Sequence, residues 1–196
     1  MKEQARTILW AGRGSWFVIE AAQAAVRDDY RTDRKDGTLG GIRIVRKRSA
    51  GLLLYRKRNV SIEVFLVHPG GPFWARKDLG AWSIPKGEYA EDEDPLSAAL
   101  REFEEETGFP APKDAVSLGE VKQAGGKIVT AWAAEGDCDP EKLVSNQCRI
   151  EWPPKSGALI EIPEVDRAAW FPITEAHLRI LKSQLPFLER LGQVPG

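Results

Sequence analysis

Gly87-Glu88-Tyr89-Ala90-Glu91-Asp92-Glu93-Asp94-Pro95-Leu96-Ser97-Ala98-Ala99-Leu100-Arg101-Glu102-Phe103-Glu104-Glu105-Glu106-Thr107-Gly108-Phe109 is the stretch on which the reading of this chain turns. Its second half predicts a helix from Pro95 to Thr107 with both ends marked. Asp94 suits the N-cap, Pro95 the first helical position and Gly108 the left-handed residue after the last turn. Leu96, Ala99, Leu100 and Phe103 form the apolar stripe by which it packs. Glu102, Glu105 and Glu106 fall within an arc of about 100°, because positions three and four apart share a helix face. No basic residue sits between them, and the packing stripe leaves this acid edge at the rim of a cleft.

Such a cluster is costly. Like charges at neighbour spacing destabilise a helix by roughly 0.2–0.5 kcal/mol per pair, and carboxylates in the last turn oppose the macrodipole by roughly 0.3–1 kcal/mol each. A bound divalent cation reverses the sign of both effects, and an all-oxygen donor set favours Mg²⁺ or Mn²⁺ over zinc. Read from the cluster alone, a solvated acidic face and a cation site stand about level.

The wider pattern separates them. Glycine, five residues, Glu, seven residues, then Arg-Glu-apolar-any-Glu-Glu-any-Gly-apolar resembles the signature of the Nudix hydrolases at every fixed position. Those positions are Gly87, Glu93, Arg101, Glu102, Glu105, Glu106 and Gly108, with Phe103 and Phe109 in the apolar slots. The resemblance extends from about Ser49 to the C-terminus. It implies an α/β/α sandwich with a central mixed sheet, and hydrolysis of a nucleoside diphosphate linked to another moiety. It also implies Glu102, Glu105, Glu106 and the Gly87 carbonyl as metal ligands. Glu102 and Glu105 are equal candidates for a general base, and Arg101 orients the helix by pairing with Glu93 or Glu105. Glu164, placed before the strand tryptophan Trp170, matches the position of a further acid in relatives; an ordinary loop acid is the competing reading, and Glu161 and Asp166 are rivals.

Composition is compatible with this. A chain of 196 residues, 42% of them hydrophobic, has room for one sizeable core. The net charge of −1 carries no footprint for duplex nucleic acid, whereas a small nucleotide remains a suitable partner. Cys138 and Cys148 are too few for a zinc site with only two histidines present; a reduced, cytoplasmic setting is the simplest reading, with one disulfide left open. Lys2, Arg6 and Trp16-Phe17-Val18-Ile19 imitate a secretory leader, but the apolar run is too short. No segment has the length to span a bilayer.

Residues 1–44 read as an N-terminal extension, with a short helix at Trp16–Arg27 and a charged linker at Asp28–Gly37; residues 45–196 form the Nudix domain. Val45, preceded by Gly40-Gly41, is an alternative translation start. From Ser49 the pattern is regular. Leu52–Tyr55 and Ile62–Val67 are strands around the turn Arg56-Lys57-Arg58-Asn59, and Trp82-Ser83-Ile84 is a short strand. Pro85 to Glu93 reads as loop. Ser117–Lys122 and Lys127–Ala134 form a hairpin turned at Gly125-Gly126, followed by an irregular stretch through Trp152-Pro153-Pro154. Strands near Leu159–Ile162 and Ala168–Phe171 precede a helical region from Thr174 to about Leu191, interrupted at Pro186.

Trp82-Ser83-Ile84-Pro85-Lys86-Gly87 looks like the approach to the signature in diadenosine polyphosphate hydrolases, and oxidised-nucleotide pyrophosphohydrolases share a close variant. Lys86 is thereby the candidate phosphate contact, as a compact charge. The diadenosine group often has histidine where Glu88 stands. Tyr89, Trp74 and Trp152 are loop aromatics able to stack on a base, while Trp82 and Trp170 belong to the core and His68 and His177 are structural. Arg76, Lys77 and Lys155 read as solvated. The alternatives to a Mg²⁺-dependent pyrophosphohydrolase of dinucleoside polyphosphates or oxidised nucleoside triphosphates are an RNA 5′ pyrophosphohydrolase and a non-catalytic nucleotide-sensing Nudix module.

Overall fold

The computed structural model describes residues 38–39, 42–43, 47–59, 61–123 and 126–193. The helix expected at Trp16–Arg27, the linker after it, Val45 as a start and Gly125 of the hairpin turn lie outside these residues. Among the described residues are ten strands: β1 (Thr38–Leu39), β2 (Ile42–Arg43), β3 (Arg48–Arg58), β4 (Ser61–Pro69), β5 (Lys86–Glu88), β6 (Val116–Lys122), β7 (Ile128–Glu135), β8 (Gln147–Glu151), β9 (Leu159–Pro163) and β10 (Val165–Pro172). Three α-helices accompany them there: α1 (Pro95–Thr107), α2 (Ile173–Arg179) and α3 (Leu185–Leu191). The main sheet runs β10-β4-β3-β7-β6, with β5 also paired to β3. Only the β3–β7 pairing among these is parallel, so the sheet is mixed.

Period-two alternation explains the layers. Leu53 of β3, Val64 and Leu66 of β4 and Val129, Ala131 and Ala133 of β7 point to one face, where they meet Ile180, Phe187, Leu188 and Leu191 of the C-terminal segment. Leu52, Leu54, Phe65, Val67 and Ala134 point to the other, against Phe103 of α1. Ala98 and Ala99 of the same helix pack on Ala50. Both faces of β3 are therefore dry, and the resulting α/β/α sandwich is the fold expected from the pattern.

Several elements depart from the sequence expectation. Lys86–Glu88 is a strand, not loop, paired antiparallel with Ser49–Gly51. Gly51 permits that approach: a Cβ there would lie 2.7 Å from both the Lys86 Cβ and the Pro85 carbonyl. Trp82-Ser83-Ile84 forms only isolated bridges, Ser83 with Val67 and Trp82 with Ile180. The stretch before Trp152 contains β8, paired along its length with β9; Gln147-Cys148-Arg149-Ile150-Glu151 does alternate polar and apolar. The C-terminal helical region breaks at Ile180, whose extended backbone (ψ 149°) joins the Trp82 bridge. Pro186 instead sits in the first turn of α3, where its missing N–H costs nothing.

Candidate active site

The ends of α1 form as their residues dictate. The Asp94 carboxylate accepts from the Ser97 N–H at 2.8 Å. Gly108, at φ 73°, closes the helix by donating its N–H to the Glu104 carbonyl at 2.8 Å. The expected stripe packs only in part: Ala99 and Phe103 are fully buried, but the packing face extends to the acids. Leu96 and Leu100 are only half-buried, whereas Ala98, Ala99, Glu102, Phe103, Glu106 and Thr107 are buried. Two of the three glutamates thus point inward beneath β5, with 5% exposure for Glu102 and 0% for Glu106, and only Glu105 is left at the rim.

β5 supplies what these two carboxylates meet. The Lys86 N–H donates to Glu106 Oε2 at 2.9 Å. The Cα of Gly87 lies directly against Glu102: a Cβ would sit 1.9 Å from Oε2 and 2.0 Å from the carboxyl carbon. Position 87 consequently accepts no side chain while Glu102 keeps its place. Burial raises the Glu102 carboxyl above its ordinary range, Arg101 and Lys86 pull it back, and Glu105 pushes it further up.

Arg101 corrects the picture of a bare acid cluster. Its Nη1 donates to Glu102 Oε1 at 2.7 Å and to Glu105 Oε2 at 3.1 Å, while Nε and Nη2 reach Glu93 at 2.9 and 3.3 Å. Burial works against the guanidinium's charge, yet these carboxylates raise its affinity for the proton overall. The helix carries its own counter-cation, and the like-charge cost inferred from spacing is correspondingly smaller.

Backbone contacts link the C-terminal end of α1 to the segment 144–146, and that segment to Glu164. The Val144 N–H donates to the Thr107 carbonyl at 3.0 Å, and two residues on, Asn146 accepts the Glu164 N–H at 2.9 Å. Glu164 is buried, Glu161 is exposed, and Asp166 is engaged by His68 Nδ1 at 2.7 Å. The second His68 nitrogen lies 2.8 Å from the Lys77 carbonyl, and His177 Nδ1 lies 2.7 Å from the Ile173 carbonyl, so both histidines serve the framework.

The remaining candidates scatter. Lys86 is buried at 2% exposure. Tyr89 is half-buried against Ala50, Ala98 and Ala99. Trp74 is buried, edge-on to Phe73 at 5.1 Å, with Lys77 Nζ above both rings. Trp152 is half-buried in the β8–β9 connection, and Arg76 and Lys155 are exposed. Trp82 is core, whereas Trp170 is half-buried beneath the Arg56 guanidinium, 4.2 Å from its ring. Cys138 and Cys148 are free thiols. Glu88 lies 3.3 Å from Lys47 and 3.6 Å from Lys127, a pairing that no motif announced.

Among the described residues no three Asp, Glu, His or Cys side chains converge into a set that holds a metal as they stand, and Arg101 donates to both Glu102 and Glu105. The donor chemistry nevertheless fits a hard divalent cation, since every candidate ligand is oxygen.

Residues 45–191 match the family model described as the NUDIX domain. The chain belongs to the Nudix family. Solved Nudix structures show the same fold. The NUDIX domain of Shewanella oneidensis NrtR, complexed with ADP ribose, superposes with a TM-score of 0.53 at 19% identity, covering 89% of this chain and 97% of that one. A Nudix hydrolase from M. smegmatis, RenU, gives 0.51 at 24% identity, with 77% and 89% covered. A C. elegans Ap4A hydrolase gives 0.49 at 22% identity, with 75% and 96% covered. As a Nudix hydrolase the chain acts on pyrophosphate bonds, and Nudix hydrolases generally use a divalent metal. No helix among the described residues is long and apolar enough to cross a membrane.

Proposed function

We propose that this Nudix hydrolase is a Mg²⁺-dependent pyrophosphohydrolase that cleaves a nucleoside diphosphate linked to a further moiety. Its preferred substrates are dinucleoside polyphosphates or nucleoside triphosphates, oxidised ones included, and it acts in the cytoplasm through residues 45–196. One observation carries the reading: two glutamates of α1 are clamped to β5, Glu102 against the bare Cα of Gly87 and Glu106 on the Lys86 N–H. A solvated acidic face has no need of that clamp.

Glu102, Glu105, Glu106 and the Gly87 carbonyl would hold Mg²⁺, or Mn²⁺ in its stead, with Glu164 joining them. When bound, the ion neutralises the non-bridging oxygens at phosphorus and makes its water more acidic. The protein's own residues do the rest. Glu102 or Glu105 accepts the proton of the water that attacks phosphorus, and burial that raises Glu102 suits it to that exchange. Arg101 holds Glu93, Glu102 and Glu105 in one arrangement. Lys86 provides a compact charge for a phosphate. Tyr89, half-buried beside β5, is better situated to meet a base than Trp74, whose ring is already engaged by Phe73 and Lys77.

Purified full-length protein with Mg²⁺ would be tested against diadenosine tetraphosphate, 8-oxo-dGTP, ADP-ribose and triphosphorylated RNA, with the products resolved. Turnover of the first or second, lost on chelation, is the expected result. Tight nucleotide binding with no turnover of any of the four would overturn it in favour of a sensing module.

A further inference from the structure

Ile84 lies two residues before Lys86 in a connection that has no ladder of its own, so its backbone groups depend on side chains. The Ile84 N–H donates to Gln184 Oε1 at 3.1 Å. The Ile84 carbonyl accepts from Ser83 Oγ at 2.8 Å, and Ser83 Oγ accepts from Gln184 Nε2 at 2.9 Å. One primary amide therefore closes a ring around a single residue. Gln184 is fully buried and sits at the end of the 3₁₀ turn Lys182–Gln184 that joins α2 to α3, on the face of the sheet away from α1. The neighbouring residues reinforce the link, with the Leu181 N–H donating to the Trp82 carbonyl at 2.8 Å and the Gln184 N–H to the Leu181 carbonyl at 2.8 Å.

From Ile84 the chain is short and taut. The Pro85 carbonyl accepts the Leu52 N–H at 3.0 Å, the Lys86 N–H donates to Glu106 at 2.9 Å, and Gly87 rests on the Glu102 carboxylate. Whatever fixes the height of Ile84 over the sheet fixes where β5 meets both buried glutamates. We propose that Gln184 is a positioning residue for the hydrolytic site: through Ile84 it holds β5 at the distance from α1 that keeps Lys86 N–H on Glu106 and the Gly87 backbone against Glu102. This rests on the pyrophosphohydrolase reading above only for its kinetic consequence. The mechanical link is independent of it.

The test is Gln184→Met in the full chain, which keeps length and bulk but removes both amide functions. NMR-detected exchange of the Ile84, Lys86 and Leu52 amides is expected to accelerate, since Leu52 donates to the Pro85 carbonyl, while Leu53, paired with β7 in the sheet centre, stays protected. On the substrate that the wild type turns over, kcat falls on the order of 10–100-fold with KM little changed, as a small misplacement of reacting groups does. Ser83→Ala, which leaves the Ile84 N–H on Gln184, gives the same signs at smaller size and serves if Gln184→Met does not fold. Phe187→Leu, a core truncation in the same C-terminal segment without a bond to Ile84, is the control: it lowers Tm and leaves these amides and kcat unchanged. Unaltered Lys86 exchange in both Gln184→Met and Ser83→Ala overturns the proposal. So does an equal loss of kcat in Phe187→Leu at matched Tm loss. A wild type that hydrolyses none of the four substrates defeats the function reading, while the exchange data still decide this one.

Discussion

Gly87→Ala puts the clamp between β5 and α1 to a quantitative test. The new methyl would lie 1.9, 2.0 and 2.4 Å from the Glu102 Oε2, Cδ and Oε1 atoms, so the carboxylate or the strand must withdraw. Separation to ordinary van der Waals contact, about 3.5 Å, requires a shift of about 1.5 Å. A shift of that size breaks the 2.7 Å charge-assisted bond from Arg101 to Glu102 or the 2.9 Å bond from Lys86 N–H to Glu106. Overpacking costs about 1–3 kcal/mol and the lost charged bond about 1.5–3 kcal/mol; partial relaxation leaves about 2–4 kcal/mol in all. For a chain of this size that is a fall in Tm of roughly 5–15 °C. The decisive assay is a double-mutant cycle read by denaturant unfolding, with Glu102→Ala as the second arm. Once the carboxylate is gone, the alanine at position 87 has room, and its cost should drop below about 0.5 kcal/mol. Gly192→Ala, whose methyl would meet nothing nearer than 3.5 Å, should be silent in either background. An equal penalty for Gly87→Ala with and without Glu102 would refute the contact as the reason that position is glycine.

Three further outcomes follow from the same geometry. Glu105→Gln and Glu106→Gln should each lower kcat by more than about a hundredfold while the circular dichroism spectrum and Tm stay close to wild type, because the amide oxygen that Glu106→Gln leaves in place still accepts the Lys86 N–H; near wild-type rates in both would remove these glutamates from the reaction. Burial raises the Glu102 carboxyl above its ordinary 4.5. A folded-state value above the unfolded one means that the ionised form costs stability at neutral pH and that this cost vanishes as pH falls below that range. In chelator, Glu102→Gln should therefore raise Tm at about pH 7.5 and lose the advantage by about pH 4, and an advantage independent of pH would show that the gain has another source. Burial also pushes the Cys138 thiol up to about 12 and Cys148 up to about 11, with Asp137 and Glu164 respectively adding to it. Native protein should accordingly react with a thiol reagent at about pH 8 at least about a hundred times more slowly than unfolded protein, which a simple labelling time course measures.

What was legible from residues alone has a common character: it was local or periodic. Asp94, Pro95 and Gly108 mark the helix because caps act within four residues, and the alternation in β3, β4 and β7 reads directly as two faces. What escaped depended on partners distant along the chain. β5 is a strand because Gly51, some thirty-five residues earlier, lets it approach, and its own three residues carry no strand pattern. β8 was hidden for the same reason, since five residues of alternation become a strand only when β9 arrives to pair with them. A local rule puts the C-terminal break at Pro186, whereas the chain parts at Ile180 to bridge Trp82. Gln184, bonded to Ile84 and Ser83 a hundred residues away, carries no signal in the sequence at all.

The inward turn of Glu102 and Glu106 joins these two classes. Ranking positions by hydropathy puts Leu96 and Leu100 on the packing side and the acids at the rim, and for a helix whose only task is to bury apolar area that ranking holds. A buried carboxylate is tolerable only where its solvation is replaced: Glu106 takes a backbone N–H, Glu102 takes the Arg101 guanidinium. Both replacements require the neighbouring backbone to come within contact distance of the helix, and a side chain at position 87 would prevent that. The glycine at the start of the signature and Glu102 near its end are one structural unit, fifteen residues apart in the chain and touching in the fold. Spacing in the signature therefore encodes a contact. That is why the motif ties these residues together while helical periodicity places two of them on the solvent side, where the structure buries them.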